Sequence, residues 1–378
     1  MIESNTMVGA GTGMKLVCGR DELSQKLALV ARAVSTRASV QILAGVLLRA
    51  EGGRLHLAAT DMELSLRSSL EAQVSGDGAV VVPGRLLVDL VRLLPAQEVS
   101  IEHRSDEGVV HVTSGSSSAS LHTYAAEDFP RLPDLDTVGT FTIERDALLD
   151  TVARVSRSAS RDESRPVLTG ILVRFEGNQL VMAATDSYRL SVKETPLEGS
   201  LPELEAIIPA RALAELGRVA QGSESLEIGV HENQVVFVAG DVWLTTRRID
   251  GQFPNYKQLL PESFEHEVTL PRNELLDIVR RVGVVVQRTS PIQLRFHEGE
   301  LTVFARTQDV GEAKESLPVQ FSGEAMQIGF NAEFLREGIE SIAADELRLK
   351  LISPLRPAVI EGGADDPTYL IMPIRLPG

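Results

Sequence analysis

EGNQLVMAATD, at residues 176–186, is one copy of a pattern that recurs about 120 residues apart along the chain. The first copy reads EGGRLHLAATD at residues 51–61. A weaker third copy reads EGELTVFAR at residues 298–306 and is one residue shorter before its leucine. Because the period is that of a whole small domain, the sequence predicts one domain used three times.

Each copy also carries two amphipathic segments, one before this strand and one after it. Apolar residues at helical spacing, with acids in the first turn, predict helices at residues 21–34, 144–155 and 271–282. A strand, a turn residue and a second helix are predicted within residues 80–90, 207–216 and 328–335. Short alternating runs bounded by Gly, Ser or Asp are typical of antiparallel strands. The predicted fold class is α+β: three tandem domains, each with two helices packed on antiparallel sheets.

The predicted domain boundaries lie in polar, proline-bearing stretches near residues 136–139 and 261–265. The predicted domains are therefore residues 14–138, 139–264 and 265–378. The preceding residues 1–13 have no periodicity and lead to a second candidate start at Met14. We interpret them as a disordered extension or an alternative start.

The composition excludes several kinds of protein. A single cysteine, Cys18, excludes intramolecular disulfides and multi-cysteine metal sites, and is typical of a reducing cytoplasm. No apolar run approaches the roughly 20 residues that span a bilayer, and no signal peptide is evident. The seven histidines lack metal-ligand spacing. We expect a cytoplasmic protein without a metal or a cofactor.

The charge pattern is more informative than the net charge of −16, which by itself argues against binding a polyanion. Basic residues recur on the predicted helices, whereas acids cluster in strand and turn regions. Two arginine pairs with a seven-residue spacing each share one helix face: Arg85 with Arg92, and Arg211 with Arg218. The third copy has Glu333 and Glu340 there instead. The alternative interpretation is that these are ordinary solvated helix faces.

Taken together, these residues resemble the bacterial sliding clamp family, the beta subunit of DNA polymerase III. The resemblance covers residues 14–376 and depends on the threefold repeat, on Phe-Pro at 129–130 and 253–254, and on YLIMPIRL at 369–376. It implies half of a six-domain ring, formed as a head-to-tail homodimer around double-stranded DNA without sequence specificity. It also implies a non-catalytic processivity factor that binds polymerase subunits, the clamp loader and repair proteins through a short hydrophobic peptide.

The resemblance implies which side chains face DNA. Arg37 matches a DNA-contacting arginine of the family. The other expected lining residues are Arg85, Arg92, Arg154, Arg211 and Arg218, with Arg280 and Arg281 expected to compensate for the glutamates of copy three.

The resemblance places the partner-peptide groove between the second and third domains. The residues carried over are Leu168, Thr185, Ser187, Tyr188, Arg189, Leu190, Pro254, Gln258, Leu259, Asn331, Phe334, Leu355, Pro357, Leu370, Ile371, Met372, Pro373, Ile374 and Arg375. Their apolar side chains suit a leucine or phenylalanine anchor, and Arg189 and Arg375 are expected at the rim. The sequence departs from the family pattern at Ser187, where glycine is frequent, at Gln258, where arginine is common, and in the Pro377-Gly378 extension.

The subunit interface is expected to join an edge strand of the first domain to one of the third. Leu121 and Val284 are its expected members, one on the strand within residues 116–121 and one at a helix end. Serines replace the basic residues that the family often has on the first edge.

Two alternatives remain at this level. GAGTG at residues 9–13 superficially resembles a phosphate-binding loop, but no strand precedes it and no βαβ unit follows. Asp61 and Asp186 recur in equivalent turns, where a structural role is favoured over a catalytic one. The second alternative is a clamp-like scaffold that binds proteins without encircling DNA.

Overall fold

The computed structural model describes residues 13–35, 40–132, 139–199, 201–231, 233–287 and 290–376. Most of the predicted N-terminal extension, Arg37, most of the first boundary stretch and Pro377-Gly378 lie outside these ranges. The chain divides into two compact units. The first comprises Met1–Arg145 with Glu215–Arg247, and the second comprises Asp146–Ala214 with Arg248–Gly378.

Copy one supplies nine strands and two helices in the described ranges. They are β1 (Lys15–Gly19), α1 (Arg20–Val30), β2 (Gly45–Glu51), β3 (Arg54–Thr60), β4 (Leu64–Glu71), β5 (Gln73–Gly76), β6 (Gly78–Pro83), α2 (Gly84–Leu93), β7 (Glu98–Arg104), β8 (Val109–Ser114) and β9 (Ser117–His122).

Copy two repeats this order with one additional short helix and, among the described residues, without a counterpart of β5. Its elements are β10 (Thr140–Glu144), α3 (Arg145–Val155), α4 (Pro166–Thr169), β11 (Gly170–Glu176), β12 (Gln179–Thr185), β13 (Arg189–Pro196), β14 (Leu204–Pro209), α5 (Ala210–Val219), β15 (Ser225–His231), β16 (Gln234–Ala239) and β17 (Val242–Arg247).

Copy three has the same order again. Its elements are β18 (His266–Pro271), α6 (Arg272–Gly283), β19 (Ile292–His297), β20 (Glu300–Thr307), β21 (Gly311–Pro318), β22 (Met326–Phe330), α7 (Ala332–Ser341), β23 (Glu346–Leu351), β24 (Ala358–Glu361) and β25 (Thr368–Ile371). The predicted repeat and the α+β class are confirmed.

The periodicity of the sequence explains these elements. Helix α6 buries Leu275, Val279 and Val282, which recur every three or four residues along one helix face. Strand β19 alternates buried and half-buried side chains, and its buried set packs in the same core. In copy three, helix α6 and strand β19 therefore present apolar faces to a common core.

The described strands form two sheets in each unit, and all their pairings are antiparallel. The first unit holds the orders β5-β1-β7-β8-β9 and β10-β15-β16-β17-β4-β3-β2-β6. The second unit holds the orders β14-β11-β12-β13-β25-β24-β23-β18 and β21-β20-β19-β22. Each eight-stranded sheet contains strands of two successive copies, so successive copies are joined through continuous hydrogen-bonded sheets.

These two junctions between copies have the same register. In the first, β4 pairs with β17, and residues 64–67 face residues 246–243. In the second, β13 pairs with β25, and residues 189–192 face residues 371–368. β4 and β13 each follow the strand of the repeated segment, and β17 and β25 are each the last strand of their copy. The same repeat therefore produces the same strand-to-strand contact twice.

The Ala-Thr-Asp segment forms the same turn in copies one and two. Asp186 Oδ1 accepts the N–H groups of Tyr188 and Arg189 at 2.9 and 3.0 Å, and Asp61 Oδ1 accepts those of the two equivalent residues. Met62 and Ser187 occupy the left-handed region at φ 78° and 81°. Aspartate recurs here because its short carboxylate can accept the N–H groups of its own turn. The predicted structural role of Asp61 and Asp186 in these turns is confirmed.

The helices found in the described ranges are all too short or too polar to cross a membrane.

Candidate functional site

Five large apolar side chains of the expected peptide groove are exposed on the second unit. They are Tyr188, Leu259, Leu355, Met372 and Ile374, with exposed fractions from 36% for Ile374 to 63% for Leu355. Exposed apolar side chains that gather at one place are typical of interaction sites. This is the property that a docking groove requires.

Backbone hydrogen bonds hold the chain end beside the Asp186 turn. The N–H of Met372 donates to the carbonyl of Tyr188 at 2.9 Å, directly after the pairing of β13 with β25. Two residues later the N–H of Ile374 donates to the carbonyl of Gly329 at 2.7 Å. The segment 372–374 is therefore anchored at both ends, and its side chains are presented on an ordered backbone.

Four members of the expected groove belong to the core. Thr185, Leu190, Leu370 and Ile371 are each less than 5% exposed. Leu190 and Leu370 face each other in the pairing of β13 with β25, inside an apolar cluster that also contains Tyr256. These residues are part of the core, so substitutions there act on folding first.

Arg189 does not lie at the rim, and that expectation is wrong. Its side chain is only 8% exposed and forms ion pairs with Asp186 and Glu337. The guanidinium stacks over the ring of Phe334, 4.1 Å from its centroid, and donates to the carbonyl of Arg157. A buried guanidinium needs partners for its donors. Arg189 therefore links the Asp186 turn to Glu337 on helix α7 and to the carbonyl of Arg157. Arg375 is exposed, as a rim residue would be.

Two further members of the expected groove, Asn331 and Phe334, lie at the start of helix α7. Asn331 caps this helix, since its Oδ1 accepts the N–H groups of Glu333 and Phe334 at 2.9 and 3.1 Å. The carbonyl of Phe334 accepts the hydroxyl of Tyr369 at 2.8 Å, and burial raises the pKa of that hydroxyl. A Cβ on Gly338 would lie 2.5 Å from the Tyr369 ring. Tyr369 and Gly338 are supporting residues that sequence reasoning missed, because their only signal is this close approach.

The remaining members lie on connecting segments of the second unit, except Leu168, which lies on the short helix α4. Leu168, Pro254, Pro357 and Pro373 are half-buried, and Gln258 and Ser187 are exposed. Ser187 has the left-handed backbone conformation that glycine adopts most easily, which explains why glycine suits this position. Its hydroxyl accepts a hydrogen bond from Arg165 Nη1 at 3.1 Å.

A cavity of about 560 Å³ in the second unit has one member of the expected groove, Pro254, in its lining. Residues 248–257 and strands β11 and β14 line it, together with the ion pair of Arg174 and Glu205. Tyr256 also lines it and is only 5% exposed, and its hydroxyl has no hydrogen-bond partner among the described residues. A buried hydroxyl without a partner costs free energy.

Tyr256→Phe is expected to raise the free energy of unfolding of the second unit by about 1 kcal/mol, because it removes an unsatisfied buried hydroxyl. Thermal unfolding of the full chain measures this change. Tyr369→Phe is the matched control and should destabilise by about 1 kcal/mol, because its hydroxyl has a carbonyl partner. A loss of stability in Tyr256→Phe would show that its hydroxyl is satisfied.

The expected DNA-facing arginines differ in their surroundings. Arg85, Arg92, Arg211 and Arg218 are exposed on α2 and α5, and the first pair lies opposite the buried Leu87 and Val91. Arg92 contacts Asp89 at 3.6 Å and Arg218 contacts Glu215 at 3.3 Å, each on its own helix. The seven-residue spacing thus does place cations on one exposed helix face in two copies.

Arg154 is held inside the second unit. Its guanidinium contacts Asp150 and Asp366 at 2.8 Å and the carbonyl of Ser341 at 2.9 Å, and its side chain is 20% exposed. Most of its charge is therefore offset by these carboxylates.

Arg280 and Arg281 are exposed but paired with acids. Arg280 contacts Glu340 at 2.9 Å, and Arg281 forms two contacts with Glu315 at 2.7 and 2.8 Å. Burial opposes the ionisation of Glu340, but Arg280 and Arg157 outweigh it and hold the pKa of this carboxyl below the usual value. Arg280 thus neutralises Glu340 locally, whereas the acid that Arg281 contacts is Glu315 on β21.

The two expected interface residues lie where a partner could reach them. Val284 follows α6 and is 80% exposed. Leu121 lies half-buried on β9, which ends its five-stranded sheet. In the second unit β21 likewise ends its four-stranded sheet.

Three α+β copies, joined twice by the same sheet contact and carrying exposed apolar side chains around the last strand, define a DNA clamp fold. Family models of the DNA polymerase III beta subunit match in succession: the N-terminal domain at residues 14–133, the central domain at 142–255 and the C-terminal domain at 257–375. The chain belongs to the DNA polymerase III beta subunit family, the bacterial beta sliding clamps.

A relative and two solved structures each match 97% of this chain. The beta sliding clamp of Streptomyces coelicolor is 34% identical over 380 residues, which cover 97% of this chain and 100% of the relative. The crystal structure of the Caulobacter crescentus clamp matches with a TM-score of 0.92 at 29% identity, over 97% of this chain and 100% of that one. The Pseudomonas aeruginosa clamp bound to griselimycin has a TM-score of 0.88 at 28% identity, with the same coverages.

Proposed function

We propose that this clamp works as a ring-shaped homodimer that encircles duplex DNA and tethers polymerase subunits and other replication and repair proteins. The observation that carries the proposal is the repeated junction between copies. β4 with β17 and β13 with β25 form the same contact, and β21 and β9 are the third pair of equivalent strands. Within the described sheets, β21 and β9 are both edge strands. The free side of β21 corresponds to the side on which β4 and β13 pair with the next copy. The free side of β9 corresponds to the side on which β17 and β25 pair with the preceding copy.

An exposed strand edge presents unpaired N–H and C=O groups, which favour pairing with another chain. Here the matching edge lies on a second copy of the same protein. Head-to-tail contacts of this kind close into rings when the rotation permits. Two such contacts between two chains would complete a ring of six domains, as the family implies.

The charge distribution suits a protein that surrounds DNA. Arg85, Arg92, Arg211 and Arg218 carry cations on exposed helix faces, whereas the chain as a whole has a net charge of −16. Phosphate contacts of this kind attract DNA without reading its sequence. A ring needs only weak attraction of this kind, because its topology keeps it on the duplex.

The exposed apolar groove suits the tethering role. Leu259, Leu355 and Met372 can receive the leucine or phenylalanine anchors of a short peptide, and the anchored backbone at 372–374 reduces the entropy lost on binding. The repeated carboxylates Asp61 and Asp186 hold turns, which supports a role without chemistry.

Nicked circular DNA tests the encirclement directly. Clamps loaded on a circle should remain bound at high salt, and linearisation should release them, because electrostatic contacts are screened and only topology retains the ring. Equal loss from circular and linear DNA would favour the scaffold alternative. Native mass measurement of the free protein should show a dimer.

A further inference from the structure

The cavity lined by the segment after β17 contains a buried polar group that the fold leaves unpaired. Its volume of about 560 Å³ is typical of sites that hold small molecules. Tyr256 lines it and is 5% exposed, and the hydroxyl of this side chain has no hydrogen-bond partner among the described residues. Because native proteins rarely leave a buried polar group unpaired, this hydroxyl is available to an acceptor that enters the cavity.

Arg174 supplies a second donor in the same lining. Its Nε and Nη2 both contact one oxygen of Glu205, Oε2, at 2.6 Å, and its Nη1 has no contact printed by any described side chain or carbonyl. Burial raises the pKa of the Tyr256 hydroxyl, and the charge of Arg174 opposes this rise in part. The hydroxyl is therefore protonated at neutral pH, and it lies close enough to Arg174 to be influenced by its charge.

The charges of the lining favour an anion. Three cations, Arg174, Arg248 and Lys257, line the cavity together with two acids, Glu205 and Asp250. A carboxylate accepts hydrogen bonds and donates none, so it matches a protonated hydroxyl beside a guanidinium. Hydrogen bonds of this kind, with one charged partner, are the strong ones.

The corresponding segment of copy one follows the same path. The N–H of Tyr124 donates to the carbonyl of Val81 at 2.9 Å, as the N–H of Ile249 donates to the carbonyl of Ile207 at 2.8 Å. Val81 and Ile207 hold the same position in the strand pairings of the two copies. Phe-Pro then follows in both segments, at 129–130 and at 253–254. The two segments can therefore be compared residue by residue.

Copy one has apolar residues at two of the polar positions of this cavity. Leu132 lies three residues after its Phe-Pro phenylalanine, as Tyr256 does, and packs half-buried in an apolar cluster. Ala79 occupies the strand position of Glu205, opposite the equivalent arginine. Because copy one folds in the same way without these polar groups, the architecture does not require them in copy two.

We propose that this cavity binds a small molecule that has a carboxylate group and an apolar body. The carboxylate accepts hydrogen bonds from the Tyr256 hydroxyl and from Arg174. The apolar body packs on Leu172, Ile207 and Phe253, which line the same cavity. An unpaired buried hydroxyl lowers stability, and proteins retain such groups where function needs them.

Benzoate and benzamide test the need for a negative charge, because the two molecules have nearly the same shape and only benzoate carries a carboxylate. Isothermal titration of the full chain should show saturable binding of benzoate in the millimolar range. Benzamide should bind at least roughly tenfold more weakly. Equal affinities for the two molecules, or no saturable binding of benzoate, would overturn the proposal.

Tyr256→Phe tests the hydroxyl. The affinity for benzoate should fall about tenfold, because the substitution removes a hydrogen bond to a charged group. The same substitution is expected to stabilise the free protein, so damage to the fold would not explain the loss of affinity. Tyr124→Phe, in the half-buried segment of copy one, is the matched control and should leave benzoate affinity at the wild-type value.

Two results of this comparison would contradict the proposal. Unchanged benzoate affinity in Tyr256→Phe would show that the hydroxyl does not bind the ligand. Loss of benzoate binding in Leu259→Ala with Met372→Ala, but not in Tyr256→Phe, would place the ligand among the exposed apolar side chains of the expected peptide groove.

Discussion

Leu259→Ala combined with Met372→Ala is expected to weaken the binding of a short hydrophobic polymerase-tail peptide about a hundredfold. Both side chains are exposed, at 51% and 42%, so their removal leaves the core unchanged. Each truncation removes apolar contact with an anchor side chain of the peptide, and two such losses of about 1.4 kcal/mol each give this factor. Fluorescence anisotropy of a labelled peptide measures the change.

The control for this variant is Met62→Ala, at the position of the copy-one turn that corresponds to Ser187. Met62 is 55% exposed in the first unit, so its truncation removes a comparable apolar surface away from the groove. Peptide affinity should then stay at the wild-type value. Leu190→Ala is not a suitable test, because Leu190 is 1% exposed and its truncation would cost about 2–5 kcal/mol of stability. Unchanged affinity in the double variant would place the peptide site elsewhere.

Asp366→Asn is expected to destabilise the second unit by about 3 kcal/mol. The carboxylate accepts the N–H groups of Ala343, Ala344 and Gly363 at 2.6, 3.1 and 2.9 Å, in addition to the ion pair with Arg154. An amide in its place would point an NH₂ group at these donors and leave the guanidinium without its buried partner. Amide hydrogen exchange at Ala343 and Ala344 should accelerate, and the thermal transition should fall.

The same variant should change the acid stability of the protein. Burial opposes the ionisation of Asp366, but the three N–H groups and Arg154 outweigh it and hold the pKa of this carboxyl below its usual value. The ionised carboxylate therefore stabilises the fold fully above the unfolded pKa of roughly 3.9, and this contribution is lost as the pH falls through the lower folded pKa. Asp366→Asn should lack this part of the pH dependence.

Asp365→Asn is the matched control for both measurements. Asp365 is exposed, and only its backbone carbonyl binds Lys193. Its substitution should leave amide exchange and acid stability at wild-type values. Equal effects of the two substitutions would show that the loop, and not the buried carboxylate, determines stability here.

Local sequence patterns were sufficient to predict much of the fold of this protein. The repeat of the segment 176–186 predicted three copies, and helical spacing predicted the two helices of each copy, because periodicity reports which face of an element is buried. The seven-residue spacing of Arg85 and Arg92 likewise predicted an exposed basic face. The role of Asp186 in its turn could also be predicted, because its carboxylate binds N–H groups within the four-residue segment 186–189.

The roles of individual charges did not follow from the sequence. Arg189 and Arg218 are both arginines beside apolar residues in sequence, yet the first is buried among carboxylates and the second is exposed. The partners of Arg189 and Arg154 include Glu337 and Asp366, each far along the chain. Neither pairing is visible until the sheets bring those segments together.

The sequence by itself determined the element order and the threefold repeat, because these depend on short-range spacing. Its motifs also resembled the clamp family, and the family models confirmed that resemblance. Only the tertiary structure decided how the copies are joined, which charges are neutralised and which apolar side chains of the chain end stay exposed. Strand register and burial arise from contacts between residues distant in sequence, and a linear pattern does not specify those contacts. Hence Asp366 is one acidic residue among many in the sequence, whereas in the structure its carboxylate binds Arg154 and three backbone N–H groups.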